Sequence, residues 1–598
     1  MSKILIALRN ADDDSVKKIV KRIKREAKLE DIAASLDRDL DRDESMEPES
    51  FDLAMPGTEE QLQRRAFAIP KSRKSAPSIS EVQHSERTSL SPISDNTNEY
   101  NMRQVRPSSW TKLTDDDEFV EHLVALFFTW DQPMFMAIPE SRFRYDFERG
   151  EKTYCSALMV NAICAVGCHF SERPEAYENG EMKVEARGRH FRNEAQRLME
   201  QLEDKEKVAD LVTIQAIFIL AYEISVCYSD VNAYLHFTLL QRLVNKRSFQ
   251  SHFEEDPLSK EFKGDREDFE WLFWGFYITD SGYLSPPANP EFPLPNLPNC
   301  QREIEECPWY AYDGNGPYDR NHAPLELQRI ISPMASGHSR VKLFCLLHDI
   351  DAFLYTRGSI MTAKGVLEMY MRLRRWKKDL PEEFSVINDD TAPYTLLTHM
   401  LHCCLHLILL KPFTQLRIRK QHPNSPTPLS LATEVCKDLL ELFRIYHRRY
   451  SIRRTPSMTL QYLMFFLQIR QMSFPAPDAI SDFKEIFALL AELAEVYPIV
   501  KIAILSFQDT ELDALKLQEE EVNSVGLASM LESLNVADEQ ELHSAKKASR
   551  YYERLVKGTK SICEDNFEAN WEIHSEELLN EAKVVPSVEK QKLDFLLN

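Results

Sequence analysis

Between about residue 110 and residue 510, apolar positions recur every three to four residues in one segment after another, the spacing that gives a helix one buried face. The chain order is FVEHLVALFFTW, YCSALMVNAICAVGCHF, KVEARGRHFRNEAQRLMEQL, KVADLVTIQAIFILAYEIS, REDFEWLFWGFYITD, SRVKLFCLLHDIDAFLY, AKGVLEMYMRLRRWKKDL, PYTLLTHMLHCCLHLILLKPF, LSLATEVCKDLLELFRIYHRR, TLQYLMFFLQIRQ and DFKEIFALLAELAEVYPIVKIAILSFQ. No run of strand-like alternation rivals them. Thr114 is expected to cap the first helix, with Asp115 to Glu118 filling its first turn. A proline-rich stretch, SPPANPEFPLPNLPNC, predicts an extended loop, because the residue before each proline avoids the α region. The pattern therefore predicts an all-α fold with one large domain spanning 110–510.

The flanks read differently. Residues 1–36 predict short amphipathic helices. Val16, Ile19, Val20 and Ile23 form an apolar stripe, opposed by Lys17, Lys18, Lys21, Arg22, Lys24 and Arg25. That basic face reads first as solvated surface and second as a contact for DNA or an acidic partner. Residues 37–109 turn to Ser, Pro, Glu, Asp and Arg with little periodicity, the composition of a disordered linker. Within it Lys71, Arg73 and Lys74 form a small basic cluster of the kind used for nuclear import. Residues 511–598 are acidic and less regular. The stretch 564–579, EDNFEANWEIHSEELL, combines carboxylates with Phe567, Trp571, Ile573, Leu578 and Leu579 and has no Lys or Arg. It suits an acidic activation segment that folds on a partner, and equally an ordinary amphipathic helix.

Composition narrows the classes. The formal charge of −22 argues against the whole chain coating nucleic acid, which needs a surplus of Lys and Arg. Only 15 Gly against 31 Pro suggests few tight hairpins. Uninterrupted apolar runs such as ALFFTW and LHLILL are short beside the ~18 residues of a membrane span, and MSKILIALRN lacks the length of a signal-peptide core. A soluble, intracellular protein with no membrane partner is expected, its eleven cysteines as thiols.

Candidate chemistry is concentrated in HMLHCCLH. On a helix, His399, His402, Cys403 and His406 share one face, so four zinc-ligand types point the same way. A single straight helix cannot close four side chains round one metal, and the metalloprotease pattern needs Glu where position 403 is Cys. A buried helix with hydrogen-bonded histidines is expected instead. Cys164, Cys168 and His169 form a second partial set, on an apolar helix and without a fourth ligand, and read as core. Neither aspartate run, Asp12 to Asp14 or Asp115 to Asp117, completes the D-D-x-x-D pattern of a diphosphate-binding helix. There is no phosphate loop, nucleophile elbow or dinucleotide fingerprint. No catalytic, cofactor-binding or metal-ligating residue is assigned, and no enzyme is expected.

Several segments resemble the fungal-specific transcription factor domain, the regulatory middle region of fungal zinc binuclear cluster activators. WTKLTDDDEFVEHLVALFFTWDQPMF is similar to its opening helix and the aromatic-Pro-Phe turn, VTIQAIFILAYEIS to its Thr-Val-Gln-Ala-Leu helix, and FEWLFWGFYITD to its Trp-Trp-Gly helix. YCSALMVNAICAVGCHFSERPEA, CPWYAYDGNGP, LRRWKKDLPEEF and the histidine helix through KPF also match, in family order. One departure is DSGYLSPPANP, which keeps Pro286 and Pro287 without the family's Gly-Arg. The other is the DNA-binding module, which needs six cysteines in a repeated C-x-x-C-x6-C arrangement, whereas the first cysteine here is Cys155.

The resemblance implies the regulatory portion of a nuclear transcription factor acting on RNA polymerase II transcription, its zinc cluster either lost or left upstream of Met1 by a short gene model. Zinc enters only with such an upstream cluster. The implied partners are DNA through that cluster or another protein, a coactivator or the transcription machinery, a second copy of the chain, and a small-molecule effector. The competing reading is a stand-alone helical regulator that acts through a partner or senses a metabolite without binding DNA.

Overall fold

The structure is a computed structural model. It describes residues 105–202, 210–227, 239–240, 268–276, 309–314, 328–329, 333–355, 361–416, 426–474 and 476–507, together with Phe567 and Trp571. The predicted N-terminal helices, the Lys71–Lys74 cluster, the linker to residue 104 and the proline-rich loop lie outside these residues.

The described chain is helical, as the periodicity predicts. It opens with α1 (Asp117–Leu126), a π turn at Phe127–Asp131, α2 (Gln132–Phe135), α3 (Glu140–Arg149), α4 (Ala157–Cys168), α5 (Arg189–Glu200) and α6 (Leu211–Cys227). Residues 268–276 are also helical. A two-residue antiparallel pair follows, β1 (Trp309–Tyr310) with β2 (Gln328–Arg329), in register Trp309 to Arg329. The second half holds α7 (Pro333–Tyr355), α8 (Ala363–Lys378), α9 (Glu382–Ser385), α10 (Pro393–Leu410), α11 (Pro428–Tyr450), α12 (Thr459–Arg470), α13 (Pro477–Leu493) and α14 (Pro498–Phe507).

Several boundaries differ from expectation for local reasons. The cap of α1 is Asp116, whose carboxylate accepts from the Phe119 amide at 3.1 Å, while Thr114 accepts from the Asp116 amide and sets up the turn before it. The segment beginning at Lys183 is not helical from its start. Gly188 adopts φ 67°, and a Cβ there would meet the Ala165 carbonyl oxygen at 2.5 Å, so α5 starts only after this close approach to α4. The last long apolar segment divides in two at Pro498, which opens α14.

Two groups of helices carry the core. In the first, α4 packs on α5, α6 and α1, and Gly167 lets α4 approach the Leu123 carbonyl, where a Cβ would sit 2.3 Å from that oxygen. In the second, α10 is surrounded by α11, α7, α12 and α8. With its following turn, α10 is apolar and long enough to cross a membrane, yet 83% of its most apolar window is buried inside the bundle, so it is the central core helix. The groups meet where α6 packs on α14 and α2 on α7 and α10.

Two arginines, Arg187 half-buried and Arg340 buried, replace capping residues at helix ends. Arg187 donates to the His169 and Ser171 carbonyls just beyond α4, at 2.9 and 3.1 Å. Arg340 donates to the Pro133 carbonyl of α2 at 2.8 Å and to the Thr398 hydroxyl at 3.1 Å, with no carboxylate beside it; burial pushes its pKa down to about 10. Carbonyls orphaned at a helix end accept charged donors well: Arg187 ties off the end of α4 within the first group, and Arg340 links α7 to α2 across the two groups.

Candidate functional site

Every imidazole of the histidine helix is tied to a backbone carbonyl. His399 Nε2 donates to Phe384 at 2.7 Å, His402 Nε2 to Leu373 at 3.0 Å, and His406 Nδ1 to His402 at 3.0 Å. His402 stacks on Trp376 with ring centroids 5.1 Å apart, and His406 meets Tyr370 edge-on at 4.8 Å. Burial lowers all three pKa values, to about 4 for His399 and His406 and well down for His402, so the rings are neutral. Cys403 and Cys404 are also buried, and burial raises both thiols, Cys403 to about 12. The candidate ligands His399, His402, Cys403 and His406 thus sit in α10 as packed core.

The second expected set divides. Cys164 and Cys168 are buried on α4 and stay thiols, while His169 at its end turns into a cluster that neighbouring sequence did not reveal. His169 Nδ1 lies 3.0 Å from the Val496 carbonyl and Nε2 lies 2.9 Å from Glu223 Oε2. Arg192 donates to Glu223 Oε1 at 3.0 Å, and the Cys227 thiol to the same oxygen at 3.2 Å. His169, Glu223 and Cys227 have ligand atoms within 4.8 Å of one another, all buried. The geometry is that of a carboxylate saturated by donors. Val496 offers only an acceptor, so Nδ1 donates to it and Nε2 faces the Glu223 carboxyl. Burial alone would raise the Glu223 carboxyl, but His169, Arg192 and Cys227 outweigh it and hold it below its ordinary value. The readable signal was Glu223 itself, the lone charge in the seventeen residues of α6.

A further long-range contact involves the acidic C-terminal stretch. Phe567 and Trp571, both helical and one turn apart, are 4% and 0% exposed. Phe567 stacks on Phe413 with centroids 5.1 Å apart and planes 3° from parallel. Trp571 lies 6.3 Å from Phe567 and donates its indole N–H to the Pro426 carbonyl at 2.9 Å. The receiving groove is stiff. Phe413 ends the turn Lys411–Phe413 that closes α10, and Pro426 precedes Thr427, which caps α11 in a reciprocal pair with Ser430. The two aromatics expected to serve an activation segment are thus held by the helical domain.

Comparison with known proteins finds similarity to fungal regulators. Residues 124–285 match the fungal specific transcription factor domain, a stretch running from within α1 past the helical segment 268–276. The chain is 27% identical to the nitrogen assimilation transcription factor nirA of Emericella nidulans over 398 residues, 64% of this chain and 44% of that protein. It is 26% identical to the nitrogen assimilation transcription factor nit-4 of Neurospora crassa over 546 residues, 83% and 48% of the two chains. It is 24% identical to the notoamide biosynthesis transcriptional activator notL' of Aspergillus versicolor over 353 residues, 56% of this chain and 52% of that protein. The chain spans about half the length of the curated relatives it matches. No solved structure matches. The chain is thus similar, over residues 124–285, to the fungal specific transcription factor domain, and the relatives it matches are fungal transcriptional regulators.

Proposed function

We propose that this chain is the regulatory portion of a nuclear fungal transcription factor controlling RNA polymerase II transcription, and that its helical domain clasps the aromatic anchors of an acidic activation segment. The domain is assigned to residues 110–510 and the segment to 511–598. The carrying observation is the burial of Phe567 and Trp571 against Phe413 and Pro426. Acidic segments engage coactivators by placing aromatic side chains in a groove, and a side chain buried in one groove is not available to another. Activation then depends on release. DNA contact would come through a zinc cluster, for which residues 1–154 hold no cysteine, or through a partner that carries one.

The test joins the full chain, and separately residues 510–598, to an unrelated DNA-binding domain. The reading expects the short fusion to drive a reporter more strongly than the full chain. Equal output from both removes the clasp, and a silent short fusion removes the activation segment.

A further inference from the structure

Outside the tail groove and the Glu223 cluster, a polar cleft of about 380 Å³ opens between α1, the turn after α4, the strand-side segment 311–314 and the turn before α12. Its inner wall is His122. That ring is buried and fully engaged, Nδ1 at 2.9 Å from the Tyr312 hydroxyl and Nε2 at 2.8 Å from the Ser171 hydroxyl. Burial lowers its pKa to about 4, which leaves the wall neutral. Gly314, at φ 84°, keeps the space beside the ring open: a Cβ there would approach His122 Cε1 at 3.1 Å.

Charge comes from the sides. Arg454 lies over the Trp130 ring, 5.4 Å from its centroid, and donates one N–H to the Asp313 carbonyl at 2.8 Å. It has no carboxylate partner among the described residues, whereas the adjacent Arg453 pairs with Glu495. Arg173 uses one nitrogen on Glu118 at 2.7 Å. Guanidinium presents five donors in a planar fork, so both arginines retain N–H groups in a geometry suited to a carboxylate. Glu172 and Asp313 line the same cleft, and Glu172 has no ion pair among the described residues. Glu118 offsets Arg173, so the cleft sets Arg454 against Glu172 and Asp313. A multiply charged anion would meet both acids, and a bare amine both arginines.

We propose that this cleft binds a small zwitterion carrying a carboxylate and an ammonium group, the chemistry of an α-amino acid. The carboxylate takes the spare donors of Arg454 and Arg173, the ammonium takes Glu172, and Phe170 supplies an apolar wall for the side chain. The volume is at the lower end for small-molecule sites, which suits a single amino acid better than a nucleotide. The inference does not depend on the tail clasp. Because the walls come from four segments far apart in sequence, a bound ligand would stiffen their mutual packing.

The test is thermal unfolding of the purified chain with each of the twenty α-amino acids at about 10 mM, with acetate and methylamine as single-charge probes. At least one amino acid should raise Tm by about 2 °C or more in a concentration-dependent way, with neither single-charge probe doing so. By calorimetry, Arg454→Gln and Glu172→Gln should each weaken binding of that amino acid by about tenfold or more. Glu172 is exposed and Arg454 half-buried, and unchanged circular dichroism verifies that the variants fold. No response to any amino acid, equal binding by the two variants, or acetate acting as well as the amino acid would each overturn the proposal.

Discussion

Trp571 donates its indole N–H to the carbonyl of Pro426 at 2.9 Å, across 145 residues of chain. The donor belongs to a stretch with six carboxylates and no cation, and the acceptor stands one residue before the cap of α11. Among the described residues of this stretch, apolar burial comes from Phe567 and Trp571. Their placement against Phe413 and Pro426 is therefore the contact most able to decide whether the segment is held or free.

Glu223 should be the most costly single position in the first helix group. Glu223→Gln leaves the Arg192 guanidinium buried beside an amide that cannot carry its counter-charge, at a cost of about 3–5 kcal/mol. Urea unfolding of the purified chain measures it. A loss below about 1 kcal/mol would mean that Arg192 and Glu223 do not form a charged pair.

Asp131 makes stability depend on pH. It is buried on the π turn and accepts from the Tyr222 hydroxyl at 2.9 Å, and burial raises its pKa from 3.8 to about 7. Below pH 3.8 folded and unfolded chains are both protonated there, so its contribution is intact. As pH rises towards about 7 the unfolded chain releases that proton first, and the contribution is lost at up to about 1.4 kcal/mol per pH unit. Asp131→Asn can still accept from Tyr222 and has no proton to lose. Its stability advantage over the native chain should grow from pH 4 to pH 7 and level off above, as read from denaturation midpoints.

Much of this architecture is legible in the sequence because it rests on local period. The central helix α10 is apolar on all sides and ends at Lys-Pro-Phe, and both features are visible in residues 393–413. By contrast α3 was hidden. Phe143, Tyr145 and Phe147 alternate as in a strand, although only Phe143 and Phe147, one helical turn apart, are buried, while Tyr145 is 50% exposed. The partners of polar residues were not legible at all. Glu223 is satisfied by residues of α5 and by His169 beyond α4, and Trp571 by Pro426, pairings set by tertiary packing rather than by neighbours in sequence.

Metal content tests the histidine helix. His399, His402 and His406 each spend a ring N–H on a carbonyl, and Cys403 and Cys404 are held as thiols by burial. Zinc binding would require deprotonated thiols and rotation of packed rings. Elemental analysis of purified chain should find zinc well below one per molecule. One zinc per chain, lost on His402→Ala or Cys403→Ala, would overturn the core assignment.

The clasp is tested most directly by Trp571→Phe, which keeps an aromatic ring for a coactivator but removes the N–H that Pro426 receives. Losing that hydrogen bond costs about 1 kcal/mol, enough to shift the balance between held and released segment by roughly fivefold. Reporter output is measured for the full chain and for residues 510–598, each joined to the same unrelated DNA-binding domain, with and without the substitution. The account predicts that Trp571→Phe raises the output of the full chain severalfold and leaves that of the short fusion unchanged. A full-chain output that stays level or falls, beside an unchanged short fusion at equal expression, would contradict it.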